Sequence, residues 1–431
     1  MSEWNNNKLS HLVDIRVSNV DKKIYPNKKK VKLCNYMDAY SNDYITSRIN
    51  YSEGSADLNE LNRFSLIPND VIITKDSETP EDIAVSSVVT EEIENLVCGY
   101  HLAILRPREN RIHGPFLMHK LKLPQVQKYF FRIASGSTRY GLTIGGIENT
   151  ALSHPPLPNQ RKIAHILTKV DNIIEKTESA LKKYNAIKQG MMHDLFTRGI
   201  DVKTGKLRPS YEDVPELYKE SALEMIPKEW DVERLENITE QIGDGIHATP
   251  NYISKSEYFF INGNNLENGK IVVDEKTNCV NESEFKKHYI DLGEHTILIS
   301  INGTIGNIAS YKGEKVILGK SAAYINCGKK LFKDYFYQLL QSYAIKKYFD
   351  NELTGSTVKN LSLNAIRNTP ILLPTYTEQV EIAKKISSLD SKLEIEQNFL
   401  SKTKLAKQAL MQDLLTGKKE VTPDPEDYDN E

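Results

Sequence analysis

Two long stretches of the chain carry apolar residues at alternating steps of four and three positions, which is the spacing of a coiled-coil seam. The first seam passes through Ile163, Leu167, Val170, Ile174, Thr177, Leu181, Tyr184, Lys188, Met191 and Leu195. The second passes through Ile382, Ile386, Leu389, Leu393, Glu396, Leu400, Thr403, Lys407, Leu410 and Leu414. Because neither stretch contains proline, each predicts one helix of about 37 residues, roughly 55 Å long.

Polar residues interrupt the two seams at matched places. Thr177 in the first seam corresponds to Glu396 in the second, and Lys188 corresponds to Lys407. Polar seam residues cost stability but fix the register and the partner of a helix. We therefore expect the two helices to pack antiparallel on each other within the chain. The alternative is that each helix packs only on its own neighbouring globular region.

Both seams belong to an internal repeat. Residues 136–197 align with residues 355–416 at a constant offset of 219 without a gap, and 21 of these 62 positions are identical. Chance composition would give about one identity in twenty positions. Residues 1–110 and 230–330 show no convincing alignment, so the sequence predicts a repeated scaffold that carries two different surfaces.

Short apolar, β-branched runs predict strands in both regions upstream of the seams. These runs are 70–74, 83–89 and 102–105 in the first region, and 296–300, 305–311 and 323–327 in the second. An aromatic helical stretch follows each set, at 116–133 and at 331–349. The predicted fold class is α/β (α+β), with two globular domains and two long helices that form an antiparallel intramolecular coiled coil.

The predicted boundaries follow from the repeat and from the turn-forming residues between its copies. They are a first globular domain at 1–155, a central long helix at 156–198, a linker at 199–225, a second globular domain at 226–374, a C-terminal long helix at 375–417 and an acidic disordered tail at 418–431. A chain of 431 residues suits two to four domains.

Composition indicates a cytoplasmic protein without a membrane segment. No apolar run approaches the length of a membrane span, and the polar start is not typical of a signal peptide. The four cysteines are scattered, without disulfide-scaffold spacing. The formal net charge is −2, and it becomes +3 without the last eight residues. Any binding of nucleic acid must therefore use local basic patches or basic partners.

Motifs of catalysis are missing from the sequence. No glycine-rich dinucleotide fingerprint follows a strand, and no Asn/Asp-Pro-Pro-Tyr/Phe tetrapeptide, the signature of amino-methyltransferases, occurs. The segment 313–321 resembles a phosphate loop but has one residue too many between its glycines. The histidines lack metal-ligand spacing. We therefore predict no catalytic residue and no metal site.

Polar and basic segments are the remaining candidates for function. The first half offers a lysine run with tyrosines nearby, the repeat offers two Gly-Ser-Thr turns, and the second half offers the segments 243–252, 262–265 and 300–304. Glycine-led turns can present N–H groups to a phosphate, and asparagine suits adenine edges. The same features also suit solvated faces, helix ends and hairpin turns. The candidate DNA-binding residues are Lys28, Lys30, Lys32, Tyr36, Ser137, Thr138, Arg139, Asp244, His247, Thr249, Asn251, Tyr252, Asn264, Asn302, Ser356, Thr357 and Lys359.

In combination these motifs resemble the specificity subunit of Type I restriction-modification enzymes. The resemblance includes a Trp-x(3,5)-Leu phrase at Trp4 and Trp230, a proline before Gln160 and Gln379, and a helix that ends in Met-x-Asp-Leu-(Phe/Leu)-Thr. It also includes the Gly-Asp-Gly-Ile-His-x-Thr-Pro phrase that begins at Gly243. The first half lacks this phrase, so DNA contacts implied by it apply to the second half only.

The resemblance implies a non-catalytic subunit that reads a split, asymmetric site in double-stranded DNA, with one target recognition domain for each half-site. The long helices would hold the two domains apart and seat two modification subunits, which use S-adenosylmethionine to methylate adenine. Two restriction subunits would add translocation and cleavage that depend on ATP and Mg²⁺, and this chain would bind no cofactor itself. The implied partner-binding residues are Gln160, Ile163, Leu167, Lys188, Leu195, Gln379, Ile382, Ile386, Lys407 and Leu414.

Two alternatives stay open at the level of sequence. One is a freestanding DNA adenine methyltransferase with its own specificity region, which the missing catalytic motifs disfavour. The other is a coiled-coil adaptor that joins proteins without binding DNA.

Overall fold

The computed structural model describes residues 4–355 and 359–428, and the chain divides into two compact units. The first unit comprises residues 1–179 and 397–431, and the second comprises residues 180–396. Each unit therefore contains one globular region together with a part of each long helix.

The first unit combines short strands with short helices that precede the first long helix. Its strands are β1 (Asn5–Lys8), β2 (Val13–Val17), β3 (Lys29–Cys34), β4 (Tyr44–Ile45), β5 (Ser52–Ala56), β6 (Val71–Thr74), β7 (Asp76–Ser77), β8 (Ser86–Val89), β9 (Leu96–Cys98), β10 (Leu102–Pro107), β11 (Tyr140–Gly141) and β12 (Ala151–His154). Its helices are α1 (Leu9–Leu12), α2 (Tyr36–Ser41), α3 (Leu58–Phe64), α4 (Gly114–Leu121), α5 (Pro124–Ile133), α6 (Ile144–Glu148) and the start of the long helix α7 (Leu157–Thr197).

A five-stranded sheet with the order β2-β10-β6-β8-β4 forms the centre of the first unit. Its side chains alternate between two cores, as the period of two in a strand requires. Ile73 and Ala103 contribute to a core shared with α4, α5 and the start of α7, whereas Ile72 and Ile104 contribute to a core shared with the sheet β5-β3-β9. Both faces of the central sheet are therefore buried.

The second unit repeats this plan. Its strands are β13 (Ile200–Asp201), β14 (Lys206–Leu207), β15 (Tyr218–Glu220), β16 (Met225–Pro227), β17 (Asp231–Arg234), β18 (Thr239–Asp244), β19 (Tyr252–Ile253), β20 (Tyr258–Ile261), β21 (Leu266–Glu267), β22 (Lys270–Ile271), β23 (Cys279–Val280), β24 (Thr296–Ser300), β25 (Ile308–Ser310), β26 (Val316–Leu318), β27 (Ala322–Cys327) and β28 (Pro370–Leu373). Its helices are α8 (Glu282–Lys287), α9 (Lys333–Leu339), α10 (Tyr343–Glu352), α11 (Leu363–Arg367) and the start of the long helix α12 (Tyr376–Leu414).

The central sheet of the second unit has the order β18-β27-β24-β25, which matches β2-β10-β6-β8 strand for strand. The pair β17–β28 likewise matches the pair β1–β12. The scaffold therefore repeats further upstream than the sequence alignment indicates, because strand pairing needs only the alternation of apolar residues and not their identity. The predicted mixed fold class is confirmed.

Helices α7 and α12 lie antiparallel within each unit. In the first unit, Asp171 of α7 pairs with Lys407 of α12, and seven residues further along α7, Glu178 pairs with Lys404 at 2.6 Å. In the second unit, the Lys392 ammonium lies 4.4 Å from the ring centroid of Tyr184. The partner numbers fall as the α7 numbers rise, so the two helices run in opposite directions, as the seams predict.

All twenty predicted seam positions are buried or half-buried. Thr177 is buried, and its hydroxyl donates to the Ile173 carbonyl at 2.8 Å. The lysines in the seams form ion pairs across the helix pair, Lys188 with Asp390 at 2.6 Å and Lys407 with Asp171. The helices are 41 and 39 residues long, slightly more than the sequence predicts.

Several predicted elements have different bounds in the structure. The strand predicted at 83–89 begins only at Ser86, because Ala84 takes a positive φ of 59°. The strand predicted at 305–311 is shortened to Ile308–Ser310, since Gly306 has a φ of 85°. Each predicted aromatic helix is two helices, with Pro124 opening α5 and Ser342 capping α10.

The segments predicted as linker and tail are ordered where the structure describes them. The linker forms the hairpin β13–β14 and the pair β15–β16. In the first unit, Asn159 at the start of α7 donates to the Val421 carbonyl at 3.0 Å, and Lys162 pairs with Asp424. The prediction of a disordered tail is therefore wrong for residues 418–428, and residues 429–431 lie outside the described part.

Candidate nucleic-acid interface

The Gly-Ser-Thr turn of the first unit lies beside the end of strand β6. Ser135 and Gly141 close the turn with two backbone hydrogen bonds of 3.1 and 3.0 Å. Gly141 pairs with Asp76, and Leu142 N–H donates to the Lys75 carbonyl at 2.9 Å. The predicted residues Ser137, Thr138 and Arg139 form the exposed tip of this turn.

Glycine is required at the start of this turn. Gly136 has a φ of 151°, and a Cβ there would lie 2.0 Å from the Arg139 carbonyl oxygen. A side chain at this position would therefore open the turn. The tip presents two hydroxyls and a guanidinium, which are groups that contact phosphates in protein–DNA complexes.

A second cluster at the same end of the sheet was missed by the sequence analysis. Tyr100 and His101 form the turn before β10, and Lys75 N–H donates to the His101 carbonyl at 2.9 Å. His101 Nδ1 lies 2.7 Å from an Asp76 carboxylate oxygen. The Tyr100 ring is 49% exposed and packs edge-on against His101 with centroids 4.1 Å apart.

The Tyr100–His101 turn combines an exposed aromatic ring with a nearby cation, since the Lys75 ammonium lies 5.9 Å from the Tyr100 centroid. His101 also has a positive φ of 73°, which is uncommon outside glycine and costs free energy. The available signal in the sequence was an aromatic residue directly after Gly99. The apolar run that starts two residues later predicts only a strand, so the sequence pattern does not indicate this turn.

The predicted residue Tyr36 lies at the same end of the sheet. Tyr36 opens helix α2, which packs against β6, and burial raises the pKa of Tyr36. Its ring stacks on Tyr40 at 5.6 Å with an interplanar angle of 17°. A hydrogen bond to Asp82 raises the pKa of Tyr40. The structure therefore brings Tyr36 together with the Gly-Ser-Thr turn, through strand β6.

The lysines of the predicted run differ in whether they are paired within the unit or exposed to solvent. Lys28 is paired inside the unit with Glu60 at 2.7 Å and Asp57 at 3.4 Å, and the hydrogen bond to Glu60 raises its pKa. Lys30 and Lys32 are exposed and lie on one face of β3, two residues apart. Of the three candidate lysines in this run, Lys30 and Lys32 form a solvent-facing basic stripe, and Lys28 does not.

In the second unit, most predicted residues converge on the equivalent end of the central sheet. Asp244 ends β18 and pairs with Ala323 of β27, which in turn pairs with Ile299 near the end of β24. His247 is exposed, and its Nε2 lies 3.0 Å from an Asp244 carboxylate oxygen. Thr249, Asn251 and Tyr252 are exposed on the segment that follows.

Two further polar loops meet at this end. Gly263 N–H donates to the Ser321 hydroxyl at 2.9 Å, which in turn donates to Asn262 at 2.9 Å, and the neighbouring Asn264 is exposed. Asn302 pairs with Asn360, next to the exposed Lys359. The candidates Ser356 and Thr357 lie outside the described residues.

Close backbone approach explains the second glycine of the Gly-Asp-Gly phrase. A Cβ at Gly245 would lie 2.0 Å from the Leu318 carbonyl oxygen. Gly245 N–H donates to the Ala322 carbonyl at 3.1 Å, which holds the phrase against β27. The glycine therefore positions Asp244 and His247 at the sheet end rather than making a contact of its own.

The predicted partner-binding residues lie mostly inside the units. Gln160 accepts a hydrogen bond from His113 N–H at 2.9 Å and donates to the Pro155 carbonyl at 2.9 Å. Gln379 makes the equivalent bonds with Phe332 and Pro374, at 2.8 and 3.0 Å. These glutamines join each long helix to its globular region. The apolar members of the set are buried, namely Ile163, Leu167, Leu195, Ile382, Ile386 and Leu414.

Lys188 and Lys407 are each engaged in an ion pair that also involves the globular region. Asp390 accepts from Lys188 and from Gln338 of α9, the latter at 2.7 Å. Asp171 accepts from Lys407 and from the Tyr44 hydroxyl, the latter at 2.8 Å. Binding of a partner by any residue of this set stays a prediction.

Within the described residues, no group of three or more His, Cys, Asp or Glu side chains could hold a metal ion. None of the described helices combines the length and the apolarity needed to cross a lipid bilayer.

Comparison with known proteins identifies the repeated architecture. The family model for the Type I restriction modification DNA specificity domain matches residues 1–184 and 227–404. The MjaX protein of Methanocaldococcus jannaschii, assigned as a type I restriction enzyme specificity subunit, is 26% identical over 83% of this chain and 80% of its own length. The EcoBI specificity subunit of Escherichia coli is 22% identical over 75% of this chain and 67% of its own length.

A solved structure shares the fold. The crystal structure of the S subunit of a Type I restriction-modification system from M. genitalium superposes with a TM-score of 0.61 at 16% identity, over 96% of both chains. Each of the two matches of the family model extends from a globular region into the long helix that follows it, and together they cover most of the chain. These findings support neither a freestanding methyltransferase nor an adaptor. The chain belongs to the family of Type I restriction-modification DNA specificity subunits.

Proposed function

We propose that the two units read the two parts of a split, asymmetric site in double-stranded DNA, one part each. The observation that supports this proposal most is the repetition of one scaffold with two different sets of side chains at the same end of the central sheet. The first unit carries Tyr36, Tyr100 and the turn at 136–139 there, and the second carries Asp244 and His247. Two identical recognition domains would suit a symmetric DNA site, whereas two different domains suit an asymmetric one.

Recognition would combine two kinds of contact. The exposed lysines and the hydroxyls of the turns would contact phosphates, which position the protein without reading sequence. Asparagine, histidine and tyrosine side chains at the sheet end would contact base edges, which carry the sequence information. The low net charge of the chain, −2, indicates that partners supply part of the positive potential that holds the DNA.

The chain would select the DNA site, and its partner subunits would carry out the chemical reactions. Two modification subunits would bind S-adenosylmethionine and methylate adenine, and two restriction subunits would use ATP and Mg²⁺, all in the cytoplasm. The helix pair would seat the modification subunits and set the spacing of the two readers. Half-sites one turn apart lie roughly 35 Å from each other, which a helix of about 40 residues, roughly 60 Å long, can bridge.

An exchange of readers tests the proposal. Residues 1–150 are replaced by the corresponding region of a family member with a different target, and adenine methylation is mapped across the genome of cells that express the hybrid with its modification partner. We expect one half of the methylated motif to change and the other half to stay. The matched control exchanges residues 230–372 instead and should change the opposite half. A change of both halves in either hybrid would contradict independent reading.

A further inference from the structure

The segment 18–28 joins β2 to β3 and leaves the central sheet of the first unit beside the turn at Tyr100. The Tyr100 N–H donates to the Val20 carbonyl at 2.8 Å, and Val20 is buried. Residues 21–27, which we call the β2–β3 loop, are all exposed. The loop therefore starts from an anchored residue at the end of the sheet where the candidate DNA contacts of this unit lie.

The β2–β3 loop occupies the place that residues 245–252 have in the second unit. Val17 at the end of β2 pairs with Ala103 of β10, and Asp244 at the end of β18 pairs with Ala323 of β27. Strands β10 and β27 hold the same position in the two central sheets, so the chain leaves both sheets from equivalent points. The first unit therefore presents different side chains at the place of the Gly-Asp-Gly phrase.

Ser55 holds the backbone on both sides of Ile24. Its hydroxyl donates to the Lys23 carbonyl at 3.1 Å and accepts a hydrogen bond from the Tyr25 N–H at 2.9 Å. An Asp21 carboxylate oxygen accepts from the Lys23 N–H at 3.0 Å. Ser55 itself is buried, whereas the Ile24 side chain is 52% exposed. The loop therefore presents one apolar side chain to solvent from a fixed backbone.

Cations flank this apolar side chain. Lys22 and Lys23 directly precede Ile24 and are exposed. Ser55 is the register partner of Lys30, and the side chains of directly opposed residues lie on the same face of a sheet, so the loop lies next to the basic stripe of β3. A single exposed apolar residue is common on protein surfaces. An apolar residue held between cations is typical of proteins that insert a side chain between base pairs.

We propose that Ile24 is a specificity-determining residue that inserts its side chain between two base pairs at the half-site of the first unit, while Lys22 and Lys23 contact the flanking phosphates. The inference rests on the proposed function and deepens it. Insertion partly unstacks the two base pairs, and pyrimidine–purine steps deform most easily. Selection at this step therefore comes from the deformability of the DNA rather than from hydrogen bonds to base edges.

Fluorescence of 2-aminopurine tests the proposal, because this adenine analogue becomes brighter when it loses stacking. The full-length chain is assembled with its modification partner on duplexes that carry the methylated motif, and the analogue replaces each adenine in turn at and beside the first unit's half-site. We expect the signal to rise at one step with the parent chain and with Ile24→Met, and to stay at the level of free duplex with Ile24→Ala. Extrusion of the methylated adenine also raises the signal, so that position is the reference that all variants should share at saturating protein.

Affinity for the same duplexes is the second measurement. Ile24→Ala should weaken specific binding about four- to tenfold, the effect expected from burying the exposed half of an isoleucine. A stiff A-tract step in place of the unstacked one should cost the parent more affinity than it costs Ile24→Ala. Ile67→Ala is the matched control, since Ile67 is 46% exposed but precedes β6, whose far end lies next to the start of β10. This control should behave like the parent.

Three outcomes would overturn the proposal. An unstacking signal that persists with Ile24→Ala, or the absence of any such signal in a specific complex of the parent, would refute insertion and leave the reading of two half-sites intact. Absence of sequence-specific binding by the parent complex would refute both. Loss of the modification partner from Ile24→Ala during co-purification, with thermal unfolding unchanged, would assign the β2–β3 loop to a protein contact instead.

Discussion

Lys188 of α7 pairs with Asp390 of α12 at 2.6 Å, and the same pair recurs one repeat later, where Lys407 meets Asp171. Each aspartate also receives a hydrogen bond from its globular region, from Gln338 in the second unit and from Tyr44 in the first. His119, at the position equivalent to Gln338, has its Nε2 3.8 Å from Asp171. One polar cluster per unit therefore ties the two helices to each other and to the reader.

Loss of the shared aspartate should cost more than loss of its lysine. Asp390→Ala leaves both Lys188 and Gln338 without an acceptor, so we expect the free energy of unfolding to fall by about 1–3 kcal/mol, between the values for exposed and buried pairs. Lys188→Ala should cost less. The control is Lys404→Ala, whose ion pair with Glu178 is about half exposed, with an expected loss under about 1 kcal/mol. Denaturant unfolding followed by fluorescence measures all three, and equal losses would refute a role in tying the elements together.

Acid should destabilise the first unit through His119. Burial lowers the pKa of His119 to about 3, below the unfolded value of about 6.5. The unfolded chain therefore takes up the proton first, so this contribution to stability is complete above about pH 6.5 and is lost as the pH falls toward about 3, by up to about 1.4 kcal/mol per pH unit.

The matched variant for this prediction comes from the repeat itself. His119→Gln introduces the residue that the second unit has at the equivalent position, Gln338. We expect a smaller loss of thermal stability between pH 7.5 and pH 5.0 than in the parent chain. Part of the loss should remain, because burial also lowers the pKa of His113 to about 4. An unchanged pH dependence would show that His119 does not titrate with unfolding.

The glycine at the end of α7 should resist substitution. Gly199 has a φ of 67°, and a Cβ there would lie 2.4 Å from both Trp230 and Glu378. Gly199→Ala should therefore lower the free energy of unfolding by about 1–3 kcal/mol. Gly190→Ala is the control, since Gly190 lies in α7 with open space around it. This change should raise stability by about 0.5–1 kcal/mol, and opposite signs for the two variants in thermal unfolding are the expected result.

The basic stripe of β3 should contribute to affinity without changing sequence preference. Lys30→Ala and Lys32→Ala should each weaken binding to specific and nonspecific DNA alike, and each should lower the slope of log affinity against log salt by about 1. Lys28→Met is the comparison, since Lys28 is occupied by Glu60 and Asp57. A salt titration of the complex with its modification partner measures these slopes. A fall in slope for Lys28 but not for Lys30 or Lys32 would contradict the assignment.

Tyr100 should affect specificity at one part of the site only. Its exposed ring can stack on or wedge against a base, an interaction worth about 1–3 kcal/mol. Tyr100→Ala should therefore relax the part of the methylated motif that the first unit reads and leave the other part intact. Tyr100→Phe, which keeps the ring, should behave like the parent chain. Genome-wide mapping of methyladenine distinguishes the two variants. An unchanged motif with Tyr100→Ala would show that Tyr100 does not contribute to DNA recognition.

The repeat, the two long helices and the family can be read from the amino-acid sequence without the structure. Coiled-coil spacing and gapless repetition are local signals, and the seam positions it indicated are all buried or half-buried. It also placed Gln160 and Gln379 correctly as repeated residues, although not as the buried joints that they form. Helix propensity and apolar period act over neighbouring residues, which is why this part could be read from the chain alone.

The roles of the polar residues depend on contacts between segments that are far apart in the chain. The matched topology of the two central sheets, the pairing of Lys188 with Asp390 and the cover of Val421 over α7 join residues far apart in sequence. The Tyr100–His101 turn becomes a candidate for function only through its contacts with Lys75 and Asp76, which come from a different part of the sheet. Charge and hydrogen-bond partners depend on which chain segments meet, and no periodicity along one segment encodes that meeting.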